Sequence, residues 1–234
     1  MRTGPGLRAL LSAAVLAAPL PLASCSAALR EPRPVDEIPG LPPGLTTADA
    51  VLDVVRARVR TAERAPEAAV RRAAAESAVE TVQWCGRIDP GRADCSYWLG
   101  VALGLQARER PGTAADALPR MVEAFSRAAT EAPSVDHAGP DRALALLYLR
   151  APGWPLGPGD ADEGLEHARR AVELEGAHAP NLLALAEALA ATGDEAGTRD
   201  AYGKALEAAR AVADRGETDA REWMDEAERG LGRK

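Results

Sequence analysis

The side chains best suited to chemistry are few and far apart. Three histidines (His137, His167 and His178) and three cysteines (Cys25, Cys85 and Cys95) are spread over 234 residues. The histidines have no ligand spacing, so no metal centre is expected. Their positions predict surface or helix-capping roles instead. Gly157-Pro158-Gly159 lacks the Gly-Lys-Ser/Thr that completes a phosphate-binding loop. There is no G-x-S-x-G nucleophile elbow and no H-E-x-x-H helix. Carboxylates are plentiful but lie among arginines, the pattern of a solvated, ion-paired face. The chain is therefore expected to be non-catalytic and free of cofactors. Its net charge of −7 argues against nucleic acid as a partner.

Each cysteine carries its own expectation. Arg2 and Arg8 precede an apolar run, Ala9 to Leu22, broken by Pro19 and Pro21. That pattern predicts a secretory signal, too short and too interrupted to span a bilayer permanently. Leu22-Ala23-Ser24-Cys25 closes it and resembles a bacterial lipobox, so residues 1–24 are expected to be removed and the Cys25 thiol acylated. The competing reading is an ordinary secretory signal with Cys25 incidental. Ser26 rather than Asp follows the cysteine, which agrees with retention on the periplasmic side of the outer membrane. With Cys25 assigned to lipid, Cys85 and Cys95 remain, and export to an oxidising compartment predicts a disulfide between them. A metal or redox pair is the alternative, but the spacing is not C-x-x-C and no His lies nearby. The loop they bracket, Gly86 to Asp94, is short, so the bond should contribute about 2–3 kcal/mol.

Aromatic residues are only 3% of the chain, and they are its main binding capital. Trp98, Phe125, Tyr148 and Tyr202 fall at helical packing positions, where core is the default role. Trp154 does not. It sits between Pro152 and Pro155, off any helical register, and either plugs the core or makes an exposed contact. Trp98, Tyr148 and Trp154 are the candidate ligand or partner surface.

The elements that must position these residues read as helices throughout. Alanine and leucine dominate, and β-branched residues are few outside short Val clusters. Residues 25–45 hold five prolines and two glycines and are expected to be a disordered tether. Thr46-Thr47 offers an N-cap to a helix through Val51, Leu52, Val55 and Val59. Pro66 separates it from a second helix that ends near Trp84.

Asn181 to Arg210 then gives a register for the rest. Leu182, Leu185, Ala186 and Leu189 match the first-helix signature of a tetratricopeptide (TPR) repeat, and Thr198, Tyr202 and Ala205 match the second. Between them, Gly193 suits a left-handed helix end and Asp194 an N-cap. Trp98-x2-Val101-Ala102-x2-Leu105 repeats the first pattern, and Met121, Phe125, Ala128 and Pro133 repeat the second. So do Asp141, Leu144, Ala145 and Tyr148, followed by Gly164, Ala168 and Ala171, with Asp160-x2-Glu163 as a capping box. In both of these repeats the second helix comes seven residues late, which predicts an enlarged loop inside each hairpin. The expected fold is all-α: an array of antiparallel, TPR-like hairpins over residues 46–234. A divergent hairpin (46–84) precedes repeats at 96–133, 140–175 and 180–210, and a closing helix (219–231) follows.

Arg142-Ala143-Leu144 through Leu147-Tyr148, the run Ala151-Pro152-Gly153-Trp154-Pro155 with Gly159-Asp160, and Cys95-Ser96-Tyr97-Trp98-Leu99-Gly100 together resemble a known family. They look like the T-component lipoproteins of tripartite ATP-independent periplasmic (TRAP) transporters. The resemblance covers roughly residues 85 to 215; the hairpin at 46–84 has no matching motif. It implies a periplasmic helical scaffold that associates with itself and with a periplasmic solute-binding protein. It also implies a cavity for a small apolar ligand between the repeats. A TPR-type structural lipoprotein that scaffolds envelope assembly is the alternative expectation.

Overall fold

The structure, a computed structural model, describes residues 38–232. The expected signal peptide, Cys25 with its expected lipidation, and the first part of the expected tether lie outside the described residues. Among the described residues there are nine α-helices and no strand: α1 (Ala48–Arg64), α2 (Ala68–Ile88), α3 (Asp94–Glu109), α4 (Ala114–Glu131), α5 (Gly139–Arg150), α6 (Ala161–Leu174), α7 (Ala179–Ala191), α8 (Glu195–Ala213) and α9 (Ala220–Gly230). None of these helices is long and apolar enough to cross a membrane.

Local chemistry sets the helix ends. Thr47 Oγ1 accepts a hydrogen bond from the Ala50 amide at the start of α1. Asp194 caps α8 through the Gly197 amide, and Gly193 before it takes φ +84°. Asp160 caps α6 through the amides of Asp162 and Glu163. The reciprocal half of that capping box is not made, because the Asp160 amide donates to the Tyr148 carbonyl at 2.9 Å. That bond ties the start of α6 to the end of α5.

Each helix packs on its sequence neighbours, and the odd-numbered helices also touch in turn: α1 with α3, α3 with α5, α5 with α7, α7 with α9. Small residues set these approaches. A Cβ on Gly100 of α3 would stand 2.5 Å from Phe125 Cε1 of α4, so no larger residue fits without a shift. On α1, Val51, Leu52, Val55 and Val59 are buried on one face, as their spacing requires.

Three expectations are corrected. First, residues 38–45 are not a free tether: Ile38 is buried, and Leu41 and Leu45 pack against the same core cluster as α1 and α2. The spacing of these three apolar residues gives that short segment something to bury, despite its prolines. Second, the hairpin of α3 and α4 has no enlarged loop. The extra residues lengthen the helices, with a single 3-10 turn, Pro111–Thr113, between them. Pro119 sits inside α4, past its first turn, where it forfeits one backbone hydrogen bond without ending the helix. Only the hairpin of α5 and α6 carries the long loop, Ala151 to Asp160. Third, the segment from Gly86 to Asp94 is not all loop, since α2 runs to Ile88 and α3 begins at Asp94, and Cys85 and Cys95 sit in helices. They lie in the last turn of α2 and the first turn of α3, both buried in the main core cluster. Their sulfurs are joined at 2.05 Å, with Cα atoms 5.8 Å apart.

Candidate functional site

Two hollows adjoin on the side lined by the odd-numbered helices. The first, about 740 Å³, lies among α3, α4 and α5. Gly100, Val101, Gly104, Leu118, Met121 and Leu147 make it apolar, and Arg108 and Arg150 stand at its rim. The glycines let α4 come close: a Cβ on Gly100 would meet the Phe125 ring, and one on Gly104 would stand 3.1 Å from Met121 Cε. The second hollow, about 460 Å³, is polar and is framed by α1, α3, the α4–α5 turn, the start of α7, and α9. Glu63 and Val101 line both. Glu63 is open to the hollows, yet their walls strip bulk water from it. That desolvation pushes its carboxyl above the ordinary carboxylate range, against the pull of Arg64 and Arg108.

An unusual turn builds the polar hollow. Asp136, His137 and Ala138 take φ values of +51°, +55° and +59°. Three non-glycine residues in succession in the left-handed region cost about 1–2 kcal/mol each, so neighbours must hold them. Arg142, from the first turn and a half of α5, folds back to do so. Its Nη1 donates to the His137 carbonyl (3.0 Å) and to Asn181 Oδ1 (2.8 Å). Its Nη2 donates to the Asp136 carbonyl (3.2 Å) and carboxylate (2.8 Å). Asn181, fully buried, donates through Nδ2 to the carbonyls of His137 (3.0 Å) and Glu175 (3.0 Å). The Tyr97 hydroxyl donates to the Asp136 carboxylate, and burial, reinforced by that charge, drives the phenol pKa upward.

Aromatic rings line the same hollow. His137 stacks on His178 with centroids 4.5 Å apart, and His178 meets the Trp223 ring edge-on at 5.6 Å. Burial first, then the charges of Arg142 and His137, lower the His178 pKa to about 4, with Asp136 opposing. The Arg56 guanidinium lies 5.5 Å from the centre of the Trp98 ring, whose indole N–H is buried without an acceptor among the described residues.

The three aromatic candidates are not brought together. Trp98 lines the polar hollow. Tyr148 stacks on His167 behind α5, at 5.6 Å. Trp154 is 91% exposed, at the tip of the α5–α6 loop, so it does not plug the core. The histidines also depart from their expected scatter. His137 and His178 meet in space, and His167 Nδ1 lies 2.7 Å from the buried Asp141 carboxylate. His178 stands at the N-cap of α7, but its side chain makes no cap bond. Among the described residues no three His, Cys, Asp or Glu side chains cluster as metal ligands. Asn181, Arg142, Asp136 and Glu63 went unread as site residues. Only Asn181 gave a signal, as a lone amide in the first turn of a helix whose one other polar side chain is Glu187.

No family model and no curated protein sequence matches this chain. Fold and site together define an all-helical domain with an apolar hollow among α3, α4 and α5 beside a polar one framed largely by the odd-numbered helices.

Proposed function

We propose that this is a non-catalytic, lipid-anchored binding protein of the cell envelope, built as an array of TPR-like hairpins. It is similar to the T component of a TRAP-type transporter and works with a periplasmic solute-binding protein. The pairing of successive helices, with the odd-numbered ones touching in turn, supports the repeat reading. One observation carries the function: the apolar hollow beside α3, α4 and α5 adjoins, across Glu63 and Val101, a hollow that holds charged and aromatic groups. A small apolar ligand fills the first. An acceptor atom on its polar end satisfies the Trp98 indole N–H in the second.

A fluorescent apolar probe tests the ligand site. Ala143 lines the hollow and is only partly buried, so Ala143→Trp fills the space without breaking the core. The expected result is saturable probe binding by the wild type and little by the variant. Equal binding by both would move the ligand elsewhere. Association with a solute-binding protein is read separately, by co-purification from the host envelope. Capture of assembly factors instead would favour the scaffold reading.

A further inference from the structure

We propose that the α5–α6 loop is a membrane-contacting finger, inserting Trp154 and Leu156 into the interfacial layer of a bilayer. Trp154 is 91% and Leu156 81% exposed, the two most exposed large apolar side chains among the described residues. Residues 151–159 carry no charge, in a chain that is 27% charged. An indole at such a tip suits the headgroup boundary, where one edge stays wet and the rest is apolar.

The backbone is prepared for leaving water. Entering a bilayer is costly mainly where amides lose water and gain no partner. Pro152, Pro155 and Pro158 have no N–H to satisfy. Ala151 N–H donates to the Leu147 carbonyl (2.9 Å), Leu156 and Gly157 N–H to the Gly153 carbonyl (3.0 and 3.2 Å), and Gly159 N–H to the Pro152 carbonyl (2.9 Å). The finger therefore presents apolar side chains on a backbone in which only the Gly153 and Trp154 amides lack such a bond.

The placement also fits a chain tethered at one end, and to that extent it rests on the lipid-anchored reading. Ile38 enters the core beside α2, and Gly40 lies 3.8 Å (by its notional Cβ) from the Trp84 ring, at the end of α2 that is bonded to the start of α3. The finger lies against Ala115, Leu118 and Pro119 of α4, at the opposite end of α3. The length of α3 separates the two ends by about 24 Å. The 13 residues from Cys25 to Ile38 reach at most about 45 Å, enough for anchor and finger to meet one membrane. Asp160, Asp162 and Glu163 stand at the base of the finger, so a zwitterionic surface is favoured over a strongly anionic one.

The test uses the chain as purified from its host, mixed with zwitterionic phosphatidylcholine vesicles brominated near the headgroup. The Trp154 signal is the difference in emission between wild type and Trp154→Phe. The mass of the same sample reports acylation of Cys25. The expected result is a blue-shifted Trp154 emission, quenched by about half, with the quenching weakening as anionic lipid is added. Trp154 emission unchanged on vesicles that carry the protein overturns the finger, even with Cys25 acylated. Failure to bind vesicles overturns it too. Quenching with Cys25 unacylated keeps the finger and removes the anchor. Trp154 shielded from aqueous acrylamide without lipid would show that a protein surface covers it, and the proposal would fall.

Discussion

At the scale of residues, Asn181 and Arg142 hold a backbone turn that its own sequence does not favour. Asn181→Ala leaves the Arg142 charge and the His137 carbonyl short of partners, so it should cost about 1–3 kcal/mol, read by chemical denaturation. A loss below a few tenths would mean the turn is held by other contacts. His178 gives a pH dependence with a definite sign. Its pKa falls from 6.5 to about 4 on folding, so below 6.5 the unfolded chain takes up the proton first. Its contribution is complete above pH 6.5 and is lost as pH falls towards 4. His178→Gln should flatten that acid limb of the stability profile; an unchanged limb would assign it to the carboxylates. The two bonded cysteines predict no reactive thiol at Cys85 or Cys95 in the unreduced protein, and two titratable thiols there would contradict the bond. Reduction should lower stability by about 2–3 kcal/mol. The cysteine pairing was legible because it needs only a count and a compartment. The stacking of His137 on His178 was not, because it depends on how two turns 41 residues apart meet.

Among the elements, nearly every helix was readable from apolar spacing, caps and breakers. Gly193-Asp194 and Thr47 act as their types require. The seven-residue delay was read as loop in two hairpins and proved to be loop in one. Between α3 and α4 the segment has only Pro111-Gly112 to break it, and the alanine-rich stretch from Ala114 folds as helix through Pro119. Between α5 and α6 three prolines and three glycines leave no such choice. The close contact of α3 with α4 is set by the absence of a side chain at Gly100. Gly100→Ala forces the Phe125 ring to move and should cost about 1–3 kcal/mol by thermal or chemical denaturation. A neutral result would mean the two helices separate freely.

At the scale of the whole molecule, the first and last parts of the fold meet: Arg64, at the end of α1, pairs with Asp219, just before α9. The pair is exposed and screened by salt, so it guides closure more than it holds it. Closure frames the polar hollow, whose walls come from both ends of the chain. No sequence pattern announces such a hollow, since it arises from how the helix pairs curve together. On the proposed reading, this hollow and its apolar neighbour carry a small apolar ligand, and the chain associates with itself as the resemblance to TRAP T components implies. Native mass spectrometry of the chain purified gently from its own host tests that claim most directly. A closed oligomer retaining a small apolar molecule is the predicted result. A bare monomer would contradict it.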